Sequence, residues 1–470
     1  MRHLIITTLV VLLTAVNAMA SQPSPSPDQI HLTWTGDPAT TVTIQWRTDL
    51  SVTDSMVDYG PTDAYGSSAA GVSFTLAGKT VTNNSYTEEV MHHVVALQGL
   101  SPSTTYHYQA GGGGRMSADY YFTTAPVTGA AGADFTFAVF GDSRGLTSGV
   151  NPSLSTFVRT IANRHPAFVI FTGDATFAGL IDEWDDWFTA MSSISPYIAI
   201  MPVDGNHEEM GAGGTIPVFY GEFAVPFANG RTWQDPWQNW STKGFYYSFD
   251  YGNAHFTVAD DEYIFGAPVQ TDEVTWLNTD LQSPRAAQAK WRFVANHMPE
   301  FAGGSYGSDP ILDQYWVPVF VNDNVNMVFN GHTHFYERTF PLDKSGNPVQ
   351  QNAGVTYVIA GSIGADLYTP ESRPFIAAGE ETYNYTITNV AGDTITMNAY
   401  RVNDQGLPNY DTLIETLSYT NASSSGTSSS SGCACNTTDK DVDPFDTAVF
   451  IIMVVAVMAL LRRINENSNR

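Results

Sequence analysis

Five times in this chain an apolar run of strand type ends on a side chain that can hold a metal ion. The runs are DFTFAVFGDSRG, AFVIFTGDATF, YIAIMPVDGNHEEM, WRFVANHMPE and NVNMVFNGHTHFYER; they deliver Asp142, Asp174, Asn206 with His207, His297, and His332 with His334. Each is short, rich in Val, Ile, Phe or Met, and closed by Gly, Asn or Asp, as expected of a buried strand and its turn. Open α/β sheets gather their ligand-binding residues at the carboxyl ends of strands, in one crevice. The pattern therefore predicts an α/β domain whose five strand ends converge. In an extended chain, residues i and i+2 leave the same face about 6.5–7 Å apart, so His332 and His334 point together.

Imidazole nitrogens with carboxylate and amide oxygens suit Zn, Fe, Mn or Co rather than the all-oxygen shell of Ca. Six such groups exceed what one tetrahedral ion takes. Two ions are expected, about 3.5–4 Å apart and sharing one carboxylate. A single Gly-Asp after a strand is most often a turn, and a lone His is most often a core or surface residue. The weight rests on Gly-Asp, Gly-Asp, Gly-Asn-His-Glu, His and Gly-His-x-His occurring together in that order.

Charge narrows the partners. Twenty Lys and Arg against 47 Asp and Glu give a net charge of −27, which repels nucleic acid as a bulk partner and anionic lipid at long range. An anionic substrate is admitted only where positive charge is concentrated locally, and metal ions with Arg144 meet that condition.

The rest of the chain divides by composition. Met1 to Ala20 has the form of a secretory signal peptide: Arg2 and His3, an apolar stretch from Leu4 to Val16, then Ala18-Met19-Ala20. Residues 27–126 alternate apolar and polar positions between turn signals and predict an all-β sandwich. Residues 133–419 alternate strands with helical segments such as NPSLSTFVRTIANR and TDEVTWLNTDLQS, the order of an α/β domain; GVTYVIAG and YTITNVAGDTITMNAY complete a sheet. Residues 420–444 are a Ser-rich linker with Cys433 and Cys435, which are poorly placed to staple a fold.

Residues 445–463 hold a block of 15 residues, Thr447 to Leu461, apolar after its first residue, and then Arg462-Arg463. As a helix the block spans only ~22 Å, against a hydrocarbon core of ~30 Å. It is read either as a short transmembrane anchor, with its basic end in the cytoplasm, or as a removable surface-sorting tail. Both place the body of the protein outside the cell, extracellular or at the surface, with the membrane or the sorting machinery as the tail's partner. Sequons stand at Asn83, Asn239, Asn384, Asn421 and Asn436.

With GNHE at Gly205 to Glu208 and GHTHFYER at Gly331 to Arg338, the sequence resembles the calcineurin-like metallophosphoesterases, and within them the purple acid phosphatases. Pro27-Asp28-Gln29, Trp46-Arg47-Thr48, Val57 to Gly60, His92-His93-Val94, Gly99-Leu100 and Tyr106 to Tyr108 look like that family's fibronectin-type-III-like domain. The resemblance implies a catalytic domain with a β-sandwich core flanked by helices. It implies one ion held by Asp142, Asp174 and His334, and a second by Asp174, Asn206, His297 and His332. Asp174 would bridge them, and the pair would be Fe with Zn, Mn or a second Fe.

His207, beside Asn206, would face the substrate as a catalytic group, stabilising phosphate charge or donating a proton to the leaving oxygen. The implied activity is that of an exported phosphomonoesterase acting on a phosphate ester through a metal-bound hydroxide. A phosphodiesterase or nucleotidase on the same site is one alternative, and a noncatalytic surface binding protein with a degraded metal site is another.

Two positions depart from the family. The tyrosine three residues after the bridging aspartate, whose phenolate binds ferric iron and gives the purple colour, is Phe177 here. The histidine that other members carry two residues after the first aspartate is Arg144, which has no lone pair to donate. Arg144 is open to three readings: a weakly held first ion, an arginine that binds a substrate phosphate oxygen, or a structural ion pair. Phe301 to Gly304, Tyr336 and Trp233 to Trp240 either line the mouth of the site or pack in the core.

Overall fold

The computed structural model describes residues 23–80, 87–130, 133–145, 150–209, 217–228, 245–261, 271–304, 307–402 and 411–421. Two antiparallel sheets form the N-terminal part. One runs Asp28–Thr33, Thr41–Thr48, Thr87–Gln98, Val72–Lys79; the other runs Ser67–Ala70, Met56–Gly60, Thr105–Gly112, Arg115–Met116, with Tyr120–Thr123 also on Thr105–Gly112. Ile44, Trp46, Val57, Val95 and Tyr108 are buried in its core, as the alternation of apolar positions requires of a sandwich.

Two further sheets build the α/β part. The first is ordered Ala199–Pro202, Phe168–Phe171, Phe135–Phe140, Asn384–Ala391, Thr394–Val402, Asp411–Thr420; the second is Tyr247–Tyr251, Ala254–Val258, Trp291–Ala295, Met327–Asn330, Thr356–Ala360, Tyr336–Thr339, Ile376–Glu380. Their facing surfaces meet through phenylalanines. The Phe137 ring lies 5.2 Å from Phe256, 5.2 Å from Phe293 and 5.8 Å from Phe329, all edge-on. Each such buried ring contributes on the order of 1.5–3 kcal/mol.

Phe168–Phe171 is buried at every position, which is why it reads as an unbroken apolar run: a parallel strand covered on both faces has no polar side. The helix Leu154–Ala162 buries Leu154, Phe157, Val158 and Ile161, the i, i+3, i+4, i+7 stripe of a helix lying on a sheet. This is the expected architecture, an N-terminal all-β sandwich followed by an α/β domain with two packed sheets at its core.

The sandwich and the α/β part lie in one compact unit. The Thr33 hydroxyl donates to the Ala224 carbonyl at 2.5 Å, Ala224 N–H donates to Gln45 Oε1 at 2.7 Å, and the Tyr108 hydroxyl donates to the Pro196 carbonyl at 2.7 Å. Arg47 grips both oxygens of Asp28, at 2.9 and 2.8 Å, and also pairs with Asp185.

One expectation is corrected. No helix among the described residues is long and apolar enough to cross a membrane, so the transmembrane assignment does not stand; its 15-residue block falls short of a bilayer's thickness by about a quarter. That block, the Ser-rich linker beyond Asn421, Cys433, Cys435, the leader Met1 to Ala20, and the sequons at Asn83, Asn239 and Asn436 lie outside the described residues. Asn384 is fully buried and its Nδ2 donates to the Thr382 carbonyl at 3.1 Å, so a glycan has no access there; Asn421 is exposed.

Candidate metal centre

Parallel register brings the motif loops together. Phe137 pairs with Phe168, and Phe168 with Ala199, in one sheet; in the other, Phe293 pairs with Met327. Asp142, Asp174 and Asn206 therefore leave one sheet edge, and His297 and His332 leave one edge of the other. Asp142, Asp174 and His332 adopt φ of 50°, 54° and 65°, a left-handed conformation uncommon for residues other than glycine and concentrated at functional sites. The loops hold them there: Asp142 N–H donates to the Gly173 carbonyl at 2.9 Å, and His332 N–H to both Asp142 carboxylate oxygens at 3.1 Å. The motif glycines allow this crowding. A Cβ on Gly205 would fall 2.6 Å from Asp174 Oδ1, and one on Gly331 would fall 2.6 Å from Asp142 Oδ2.

On one side of Asp174 the donors close around a point. Asn206 Oδ1 lies 3.0 Å from His332 Nδ1 and 3.2 Å from His297 Nε2, and the two ring nitrogens are 3.3 Å apart. His297 Nε2 is also 3.3 Å from Asp174 Oδ1. Donors about 2.0–2.2 Å from one ion are separated by roughly 3.0–3.4 Å, so this set fits a metal. His297 Nδ1–H donates to the Thr172 carbonyl at 2.7 Å, which turns the Nε2 lone pair inward.

The other side is less complete. His334 Nε2 lies 3.4 Å from Asp142 Oδ1; its Nδ1–H donates to the Asp366 carbonyl at 2.6 Å and its ring stacks on Tyr368 at 4.3 Å. The acidic and imidazole donors within 4.8 Å of one another are Asp142, Asp174 and His297, without His332 or His334. Arg144 Nε stands 3.5 Å from Asp174 Oδ2. The residues present fit one ion and do not complete the shell of a second.

Electrostatics suit metal binding. Burial pushes the Asp174 carboxyl up, but His297, His207 and His332 outweigh it and hold the group down at about 2. Burial pushes Asp142 well above the carboxylate range, with His297 opposing. Burial, aided by His297, lowers His332 to about 3, and burial, aided by Arg144, lowers His334 to about 4. These two imidazoles are neutral at neutral pH, the form that ligates.

His207 sits at the mouth. Burial lowers its pKa, with Asp174 opposing; its Nδ1–H donates to the Phe177 carbonyl, and its Nε2 faces Asp174 Oδ2 at 3.8 Å. Two of the residues left open between mouth and core pack. The Tyr336 hydroxyl donates to Glu415 at 2.7 Å, and the Phe301 ring rests on Tyr357 at 4.9 Å. Trp233 to Trp240 lie outside the described residues.

Sequence reasoning missed the part played by Glu208. Its buried carboxylate accepts the backbone N–H groups of Asp174 at 2.8 Å, Ala175 at 2.8 Å, Thr176 at 3.3 Å and Gly205 at 3.1 Å. It clamps the Asp174 loop to the Asn206 loop. The GNHE motif contained the residue but gave no sign of what it would hold.

Comparison with known proteins agrees with this architecture. Residues 27–124 match the model of the purple acid phosphatase N-terminal domain, and residues 135–336 match that of the calcineurin-like phosphoesterases. The chain is 26% identical over 309 residues to purple acid phosphatase 15 of Arabidopsis thaliana, covering 59% of this chain and 54% of that one. It is 25% identical over 409 residues to the purple acid phosphatase of Glycine max, covering 81% and 83%. The chain thus spans little more than half the length of the first of these relatives. Its fold superposes on purple acid phosphatase PPD1 from yellow lupin (Lupinus luteus) seeds with a TM-score of 0.70 at 18% identity, covering 84% of this chain and 74% of that one. The family implies a dinuclear metal centre. Residues 135–336 thus form a calcineurin-like phosphoesterase domain, and residues 27–124 ahead of it the N-terminal domain of the purple acid phosphatases.

Proposed function

We propose that this chain is a metal-dependent phosphomonoesterase of the acid phosphatase type. The observation that carries the reading is the convergence of Asn206 Oδ1, His297 Nε2 and His332 Nδ1 within 3.0–3.3 Å of one another, beside Asp174 and under His207. Asp174, Asn206, His297 and His332 would hold the metal, with Fe, Zn or Mn as the ions suited to these donors. When bound, it supplies Lewis acidity and a water acidic enough to ionise near neutral pH.

The chain's own groups do the rest. The Phe177 carbonyl keeps one His207 proton on Nδ1 and turns Nε2 toward the mouth, where the ring, on taking up a second proton, donates to a phosphate oxygen or to the leaving oxygen. Thr172 and Asp366, through their carbonyls, set the ring orientations of His297 and His334. Glu208 fixes the spacing of the Asp174 and Asn206 loops. The acidic surface leaves substrate capture to the local positive charge of the metal and Arg144.

The leader at Met1 to Ala20 adds export to this reading, and N-terminal sequencing of protein from the medium checks it. The test of function is turnover of p-nitrophenyl phosphate by purified, metal-reconstituted protein. Faster turnover of the bis-ester would reassign the site to a phosphodiesterase. No bound metal and no turnover of either ester would reduce the centre to a structural relic.

A further inference from the structure

The two oxygens of Asp174 face different surroundings. Oδ1 lies 3.3 Å from His297 Nε2 and accepts the His207 backbone N–H at 3.0 Å, on the side of Asn206 and His332. Oδ2 lies 3.5 Å from Arg144 Nε and 3.8 Å from His207 Nε2. A carboxylate that bridges two ions offers one oxygen to each. Here the oxygen that would serve the first ion looks at a guanidinium, which carries only donors and a fixed positive charge.

Arg144 is built into this place. Its backbone N–H donates to the Asp174 carbonyl at 3.3 Å, and it pairs with Val150 across an isolated β-bridge. Its Nε is buried and makes no hydrogen bond among the described residues, while its side chain keeps 12% of its surface open at the mouth. The remaining donors for a first ion, Asp142 and His334, lack the family's tyrosine, because position 177 is a phenylalanine, and Tyr368 lies with its ring stacked on His334 at 4.3 Å. A second cation here would be short of ligands and would sit against a permanent positive charge that repels it.

We infer that this centre holds one ion, on Asp174, Asn206, His297 and His332, and that the Arg144 guanidinium is the fixed cation on the other side of Asp174. The inference rests on the hydrolase reading above. In this arrangement the arginine replaces the second metal's charge, and its open N–H groups face the mouth, where a phosphate monoester presents its oxygens.

The test is metal content of the full chain after saturation with Mn(II) and removal of loose ion, together with the electron paramagnetic resonance spectrum. The wild type is expected to hold one Mn(II) per chain, with the six-line signal of an isolated ion. Arg144→His is expected to hold two, with an exchange-coupled spectrum. A wild-type count of two with coupled spins overturns the inference and leaves the hydrolase reading intact. An Arg144→His variant that folds and still binds one ion also overturns it, since the arginine is then not what excludes the second. No bound metal in the wild type overturns the hydrolase reading itself. If Arg144→His fails to fold, the wild-type spectrum alone decides between one ion and two, and Arg144→Lys, which keeps the charge, is expected to retain the count of one.

Discussion

His207 Nδ1–H donates to the main-chain carbonyl of Phe177. The residue that replaces the family's tyrosine thus holds the proposed catalytic histidine through its backbone, which no side-chain substitution removes. The Phe177 ring lies 5.5 Å from the His207 ring and shields its flank. Losing the phenol changes what the first metal position can bind while leaving His207 oriented.

Two histidine variants separate holding from reacting. His297→Ala removes a nitrogen at the centre of the donor cluster and is expected to lower metal affinity by at least ~100-fold. His207→Ala is expected to keep full metal content and lose ~10²–10⁴ in kcat. Metal analysis beside steady-state kinetics checks both. A His207→Ala variant that keeps its rate would remove the residue from the chemistry.

Iron-loaded protein is expected to lack the visible phenolate-to-iron band. Position 177 carries a phenyl ring, and the tyrosine beside the first metal position, Tyr368, stacks on the face of His334 at 4.3 Å. Absorption of the ferric protein across the visible range is the measurement. A strong band abolished by Tyr368→Phe would show that this tyrosine swings onto the ion.

Glu208→Ala is expected to cost roughly 3 kcal/mol or more of stability, because several buried N–H groups lose their acceptor together and each is worth ~1–3 kcal/mol. Metal affinity is expected to fall with it, since the clamp sets the distance between Asp174 and Asn206. Denaturant titration with and without metal reads both effects. A variant as stable as the wild type would show that water replaces the carboxylate.

The five strand ends were legible because each encodes a local rule: an apolar run, a turn residue, a polar donor. Parallel pairing then follows from burial on both faces, and convergence from the topology. The partners that finish the site were not legible. Asp366 and Tyr368 reach His334 from a turn more than thirty residues downstream, and Glu208 acts through backbone groups that carry no sequence signature. The meaning of Arg144 was left open because the three readings differ in where its guanidinium points, and that is fixed by the fold around Asp174. The welding of the sandwich was equally hidden: Arg47 and Asp185 are 138 residues apart, and each alone reads as an ordinary surface charge.

That buried junction carries the last prediction. Glu222 is fully buried near Arg47, Asp185 and Asp28, with His92 Nδ1 3.6 Å from its Oε2. Burial raises its pKa from 4.5 to about 8, with Arg47 opposing. The folded chain therefore binds a proton here that the unfolded chain has released, so the group's stabilisation is full below about pH 4.5 and is lost as pH rises through about 8. His31, lowered to about 4 by burial, and His92, lowered further, work in the opposite sense, but only below their ordinary value of 6.5. Asp185, raised to about 7 by burial, adds to the decline up to that pH. Between pH 6.5 and 8 the histidines are silent and Glu222 governs its own contribution. Glu222→Gln, which carries no ionisable proton, is expected to flatten the fall of unfolding free energy across that window by up to about 1.4 kcal/mol per pH unit. Urea unfolding of both proteins across the window supplies the two slopes. Equal slopes would mean that Glu222 is ionised in the folded protein and that Arg47 compensates its charge in full.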